Sequence, residues 1–337
     1  MGMPSALILD RAGGVLLGLA CGDALGVAYE GGPPLAAEFK PQMKGGGYGP
    51  YSAAEYSDDT QMAVCIAQVA ATGANLAEDE ALDAIAARFL AWARGGANDI
   101  GLQTQSVLAR ARRLKGPAGR RLRRAASEYY ELHPDHAAGN GALMRTAVVG
   151  LSAAHDRKRT AIAARAIAAL THADPLAGDS CVLWSEAIRV AVVGGRCDLS
   201  GGLDLIPEQR RQWWRNRIES ATDAPPSRFT RNGFSPEALQ AAWAAITSTP
   251  LPADDPAACR SASQHLKLAL QAAVRSGNDT DTVAAITGSL LGAFWGASAV
   301  PLAWAEAVHG WSGDAVLPVY RAAELIQLAE QALRHSW

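Results

Sequence analysis

Gly14, Gly18, Gly22 and Gly26 recur at every fourth position through the apolar stretch GGVLLGLACGDALGVAY at 13–29. On an α-helix these positions fall on one face, which then carries no side chains and lets a neighbouring backbone come into direct contact. Each glycine inside a helix costs about 1 kcal/mol relative to alanine, so such a run persists only where close packing returns more. The pattern predicts a central, tightly packed helix on which the rest of the chain is built. Leu19-Ala20-Cys21 within it superficially resembles a lipoprotein cleavage site. Three details argue against an export or membrane role: Asp10 cancels Arg11 ahead of the run, Asp23 interrupts it, and the segment is short for a span.

Beyond this helix the apolar period stays helical, with runs near 61–72, 78–94, 101–115, 141–154, 159–170, 178–194, 236–247, 258–275, 281–298 and 314–334. Strand signals are nearly absent, and Asn140-Gly141 and Asn232-Gly233 lie between helical runs rather than between alternating strands. The expected fold is all-α, a compact bundle of many helices. No linker or fixed-period repeat divides it, so residues 1–337 read as a single domain. The segment 195–235, with Gly194-Gly195, Gly201-Gly202 and Pro225-Pro226, reads as a variable or mobile surface section. With 337 residues, 49% of them hydrophobic, the chain can bury a substantial core. A net charge of -2 gives no general attraction to nucleic acid or membrane. Cys21, Cys65, Cys181, Cys197 and Cys259 are odd in number and widely spaced, which fits buried free thiols in a reducing cytoplasm and not a zinc cage.

Two acidic strings stand at helix starts. Tyr56-Ser57-Asp58-Asp59-Thr60-Gln61 precedes one apolar run, and Asn278-Asp279-Thr280-Asp281-Thr282 precedes another. Each can be read as a cap: Asp58 at the N-cap with Gln61 three residues on is a capping-box pattern. If the two starts meet in space, four carboxylates with the hydroxyls of Ser57, Thr60 and Thr282 make an all-oxygen donor set suited to Mg²⁺ or Mn²⁺. Two divalent cations would neutralise those four anions. Spacing alone does not bring the strings together, so two unrelated caps stand as the alternative.

Further motifs tip this balance. Gly22-Asp23-Ala24-Leu25-Gly26 followed by Glu30, then Ser57-Asp58-Asp59-Thr60, Gly139-Asn140-Gly141-Ala142-Leu143-Met144-Arg145, Thr171-His172 with Asp174-Pro175, and Asp279-Thr280-Asp281-Thr282 occur in this order. The chain resembles the ADP-ribosylglycohydrolases from about residue 10 to about residue 330. That resemblance implies an all-α bundle with two Mg²⁺ or Mn²⁺ ions, held by Ser57, Asp58 and Asp59 on one side and Asp279, Asp281 and Thr282 on the other. It places Glu30 beside the scissile bond, as the group that orients or deprotonates a water or a ribose hydroxyl, with Asp59 and Asp281 supporting the reaction. Read from the residues alone, Glu30 is a solvated side chain before the Gly31-Gly32-Pro33-Pro34 turn. The resemblance also implies that Gly139, Asn140 and Gly141, otherwise a plain helix entry, offer N–H groups that receive a pyrophosphate, that His172, read from the residues alone as a satisfied, half-buried histidine, lies near ribose or phosphate, and that Asp99 faces the leaving group. A carboxylate at Asp99 can hold a guanidinium through two hydrogen bonds.

The expected activity is therefore metal-dependent cleavage of the bond between ADP-ribose and a modified acceptor, an ADP-ribosylated protein or other conjugate, with arginine as the first choice of linkage. Serine-linked, nucleic-acid-linked and small-molecule conjugates are alternatives, as is a silent binding or structural relative that keeps only the fold. Two basic stretches, RARRLKGPAGRRLRRA at 110–125 and QRRQWWRNR at 209–217, could track phosphates and stack bases. The favoured reading makes them charged outer faces of amphipathic helices with Trp213 or Trp214 in the core, so nucleic acid is the lesser choice of partner. The chain is expected to act as a monomer.

Overall fold

The computed structural model describes residues 2–95, 97–254, 261–314 and 316–337; Cys259 and the start of the run predicted at 258–275 lie outside them. The glycine stripe determines the centre. Helix α1 (Ala6–Gly26) lies antiparallel against α11 (Thr280–Trp295), and this is the most extensive helix pair in the fold. A methyl group on Gly14 would strike the Gly292 carbonyl, one on Gly18 the Gly288 carbonyl, and one on Gly22 the Ala284 carbonyl. Gly288 and Gly292 on α11 return the favour against Gly18 and Gly14, so two glycine faces touch backbone to backbone. The span Ala6–Tyr29 is long and apolar enough to cross a bilayer, yet 89% of its most apolar window is buried inside the bundle.

Around this pair stand α2 (Asp58–Ala70), α3 (Asp79–Gly95), α4 (Leu102–Ala111), α5 (Ala118–Leu132), α6 (Arg157–Ala168), α7 (Pro175–Gly194), α8 (Glu208–Ala221), α9 (Ser235–Thr247), α10 (His265–Arg275), α12 (Leu302–Ala307) and α13 (Ala322–Ser336). The buried apolar side chains form one continuous core. Local chemistry sets the ends of α7: Asp174 accepts from the Leu176 N–H, Pro175 opens the first turn, and Gly195 closes it in the left-handed region at φ 61°. A short hairpin of β1 (His309–Trp311) and β2 (Val319–Arg321), antiparallel with Gly310 opposite Tyr320, precedes α13 in place of the first part of the run expected at 314–334.

The run expected at 141–154 is not an α-helix. It folds as two 3-10 turns, Asn140–Ala142 and Ala147–Leu151. Residues 142–151 are buried throughout, so no solvent face imposes a helical register. The segment 195–235 contains the ordered α8, whose Trp214 is fully buried. Asp179 on α7, itself fully buried, fastens it by accepting from Arg210, from Trp214 Nε1 at 3.2 Å, and from Arg165 of α6 at 2.8 Å. Arg217 covers one face of the half-buried Trp213 ring at 3.9 Å. Cys21, Cys65 and Cys181 are buried free thiols, and Cys197 is half-buried and free.

Candidate active site and metal centre

The close approach of α1 and α11 delivers the site. At Gly26 the missing side chain leaves room for the backbone of Thr280 and Asp281, and Thr280 Oγ1 donates to the Gly26 carbonyl at 2.8 Å. One turn on, Gly31 N–H donates to Asn278 O and Asn278 N–H to Gly32 O, both at 2.7 Å. This bridge holds the Glu30 loop against the loop that carries Asp279, with Asn278 in the left-handed region at φ 60°. The third part is the start of α2. Asp23, fully buried on α1, accepts from Ser57 N–H and Oγ at 2.9 and 2.8 Å through Oδ1, and from Thr60 N–H and Oγ1 at 3.0 and 2.5 Å through Oδ2.

These contacts correct the capping expectation. Ser57, not Asp58, is the N-cap of α2, and its side chain makes no cap bond of its own. Gln61 turns inward to accept from Trp92 Nε1 at 2.7 Å. Two N–H groups at the start of α2, those of Ser57 and Thr60, are instead taken from across the fold by Asp23. Sequence reasoning quoted Asp23 within a motif but gave it no role. Its oxygens lie within 4.8 Å of oxygens on Asp59 and Asp281. Because four donors already occupy both carboxylate oxygens, it serves to position the others rather than to ligate.

The two acidic strings therefore meet, separated by more than two hundred residues in the chain. Glu30, Asp279 and Asp281 form a second group of oxygens within 4.8 Å of one another. Thr282 Oγ1 donates to Asp59 Oδ1 at 3.1 Å, and Asp59 Oδ2 is buried with no partner. The electrostatics are unfavourable without added positive charge. Burial, then the charges of Asp279 and Asp58, pushes the Glu30 carboxyl up to about 8. Burial, then Asp23 and Asp99, pushes Asp58 up to about 8, and burial lifts Asp23 to about 6. Asp59, Asp279 and Asp281 are likewise raised, each by burial first. An all-oxygen set, an orphaned buried carboxylate oxygen, and hydroxyls at Ser57 and Thr282 that donate to carboxylates while keeping lone pairs free together fit a hard divalent cation.

A cleft of about 360 Å³ opens over this cluster, lined by Glu30, Asp58, Asp279, Asp281 and Thr282 on its floor and by Asp99, Gln103, Gly139, Asn140, Gly141 and His172 on its walls. All the predicted substrate-side residues thus gather here, with two changes of part. Gly139-Asn140-Gly141 begins a 3-10 turn, not a helix, and Asn140 N–H is already paired with Gly233 O at 3.1 Å. The Asn140 side chain donates to Asp279 Oδ2 at 2.7 Å and to Asn232 O at 2.9 Å, so it orients a carboxylate. His172 is fully enclosed rather than half-buried, at 2% exposure, and burial with Arg145 nearby drops its pKa to about 3. Asn232 was read from sequence only as a loop residue; its side chain accepts from Asp279 N–H at 3.1 Å and donates to Gly277 O at 3.0 Å.

Comparison with known proteins bears on the family and the fold. The sequence model of the family described as ADP-ribosylglycohydrolase matches residues 4–336. The ADP-ribosylarginine hydrolase Tri1 of Pseudomonas putida (strain GB-1) is 29% identical over 314 residues, 90% of this chain and 75% of that protein. The ADP-ribosyl-[dinitrogen reductase] glycohydrolase of Rhodospirillum rubrum is 25% identical over 312 residues, 90% of this chain and 91% of its own length. A solved structure described as an ADP-ribosylglycohydrolase-related protein complex superposes with a TM-score of 0.69 at 27% identity, covering 98% of this chain and 99% of the other. With the match running nearly end to end in both sequence and fold, the chain belongs to the ADP-ribosylglycohydrolase family.

Proposed function

We propose that this hydrolase cleaves the glycosidic bond between the distal ribose of ADP-ribose and an arginine side chain of a modified protein. The observation that carries the reading is the convergence of Glu30, Asp58, Asp279 and Asp281 on the floor of one cleft whose wall bears Asp99, with Asp59 buried behind Asp281. Ser57, Asp58, Asp59, Asp279, Asp281 and Thr282 would hold two Mg²⁺ or Mn²⁺ ions, enough to offset the anions that now raise one another's pKa. When bound, the ions supply positive charge that fixes ribose hydroxyls and stabilises charge developing in the transition state.

The chain's own groups supply the rest. Cleavage passes through an oxocarbenium-like state, which a carboxylate beside the anomeric carbon stabilises, and Glu30 is the floor carboxylate outside the set that would hold the ions. It orients or deprotonates the attacking water. Asp99 holds the departing guanidinium. The names of the relatives from Pseudomonas putida and Serratia proteamaculans, both ADP-ribosylarginine hydrolases, support arginine as acceptor. The free buried thiols support a reducing cytoplasm.

A panel of arginine-, serine- and nucleobase-linked ADP-ribose with Mg²⁺ and with Mn²⁺ tests the proposal. Turnover is expected to be greatest on the arginine conjugate. Glu30→Gln is expected to lower kcat by at least about a hundredfold, the lower end of what a positioned acid or base contributes. Asp99→Asn is expected to raise KM for the arginine conjugate while leaving the serine conjugate little changed. No turnover on any conjugate would return the chain to a binding role.

A further inference from the structure

Behind the cleft wall lies a buried cation that the chemistry above does not use. Arg145 is fully enclosed, sits over the Phe89 ring at 4.6 Å, and makes no ion pair among the described residues. Its Nη2 donates to Thr171 Oγ1 at 2.6 Å and its Nη1 to Met62 Sδ at 3.4 Å. A guanidinium can only donate. The Thr171 hydroxyl therefore accepts from Arg145 and directs its own proton to His172 Nδ1, 2.8 Å away. A neutral imidazole that accepts at Nδ1 carries its proton on Nε2, and burial beside Arg145 keeps this ring neutral.

The same threonine fixes a second group. Gln103 Nε2 donates to Thr171 O at 3.2 Å and to Ala137 O at 2.9 Å. Both partners are carbonyls, so the amide must present its NH₂ to them and its oxygen the other way. Gln103 Oε1 is shielded from solvent and has no partner. It converges with His172 Nε2 over Gly139: a methyl group built there would lie 3.2 Å from the oxygen and 3.3 Å from the nitrogen. All three residues line the cleft.

This patch of wall thus offers one fixed neutral donor and one fixed neutral acceptor. A phosphate at neutral pH only accepts, and would meet the Gln103 oxygen lone pair to lone pair. A hydroxyl both donates and accepts. We propose that Gln103 Oε1 and His172 Nε2–H form a subsite over Gly139 for one sugar hydroxyl of the substrate, with Thr171 and Arg145 as positioning residues that set its polarity. The inference rests on the ADP-ribose reading above.

The test measures binding of ADP-ribose, and of analogues each lacking one ribose hydroxyl, by calorimetry with Mg²⁺ present. Gln103→Leu is expected to weaken ADP-ribose about tenfold, one hydrogen bond's worth. One analogue should bind the parent correspondingly less tightly and should lose nothing further in the variant, closing a thermodynamic cycle. In ¹⁵N spectra, His172 should show the Nε2–H form in the parent and in Thr171→Ser, and lose it in Thr171→Val. Equal weakening of every analogue by Gln103→Leu, as expected for loop damage or a displaced water, overturns the subsite. An unchanged tautomer in a folded Thr171→Val overturns the relay. If Thr171→Val does not fold, the Gln103→Leu cycle decides. A parent that binds no ADP-ribose fails the functional reading itself, and a parent that binds it but shows no hydroxyl-specific coupling fails the subsite alone.

Discussion

Asp23 shows how a single carboxylate can prepare a site without touching what the site holds. Its four acceptor positions take the two N–H groups and two hydroxyls that begin α2, beside Asp58 on the cleft floor and the buried Asp59. In Asp23→Asn one of those oxygens becomes an NH₂ that faces two donors, so a pair of bonds is lost and a donor is left buried and unpaired. We expect a loss of about 2–4 kcal/mol in denaturant-derived stability and a weakening of Mn²⁺ binding by about 10–100-fold, the usual range when a group behind the ligands is removed. Unchanged Mn²⁺ affinity in a folded Asp23→Asn would show that it does not position the ligands. The acidic strings holding Asp58, Asp59, Asp279 and Asp281 are visible in the sequence, but alone they read equally as helix caps, and only the order of the five motifs favours a shared site. The parts played by Asp23, Asn232 and Gln103 are not visible there: each acts through a partner far away in the chain, and a lone polar residue carries no periodic signal.

The glycine stripe is the element most fully legible beforehand, because a four-residue repeat of the smallest residue has few uses other than backbone contact. Its strength can be tested with one methyl group. Gly18→Ala gains about 1 kcal/mol of helix propensity, but the new methyl meets the Gly288 carbonyl, a backbone group that cannot swing aside. Overpacking of this kind costs about 1–3 kcal/mol or more, so net destabilisation is expected, together with displacement of α11. Gly95→Ala at the end of α3, where nothing lies within 4 Å, is the control and should be neutral or slightly stabilising. Chemical denaturation of the two variants checks the sign. Equal stability of both would mean that α1 and α11 are not in contact at this position. The 141–154 run marks the opposite limit of legibility. Its apolar pattern is real, but a segment buried on all sides has no polar face, and Arg145, Thr171 and the α7 backbone decide its turns instead. Gly150 lies against the Ser185 carbonyl, so even the position of that turn is imposed from outside.

The bundle brings six carboxylates into one buried region, so its stability should depend on pH and on divalent cations together. In the metal-free chain, Glu30 and Asp58 titrate near 8 when folded against ordinary values of 4.5 and 3.8. Between those limits the folded state holds protons that the unfolded chain has released, so their contribution is fully present below about pH 4 and is lost as pH rises through about 8. His172 acts in the opposite sense: held down to about 3 from 6.5, it favours folding as pH rises, but only up to about 6.5. From pH 6.5 to 8.5 the carboxylates act alone, and Tm of the chelated protein should fall. Mg²⁺ or Mn²⁺ replaces the missing protons. At a hundredfold excess over Kd a bound ion adds about 2.7 kcal/mol, so the cation-dependent gain in Tm should be several degrees and should grow from pH 6 to pH 8. Scanning calorimetry across this range, with and without chelator, reads both slopes. A chelated protein whose Tm is flat or rising from pH 6.5 to 8.5, and which gains nothing from either cation, would mean that the cluster is neutralised by some other means and that the metal centre is misassigned.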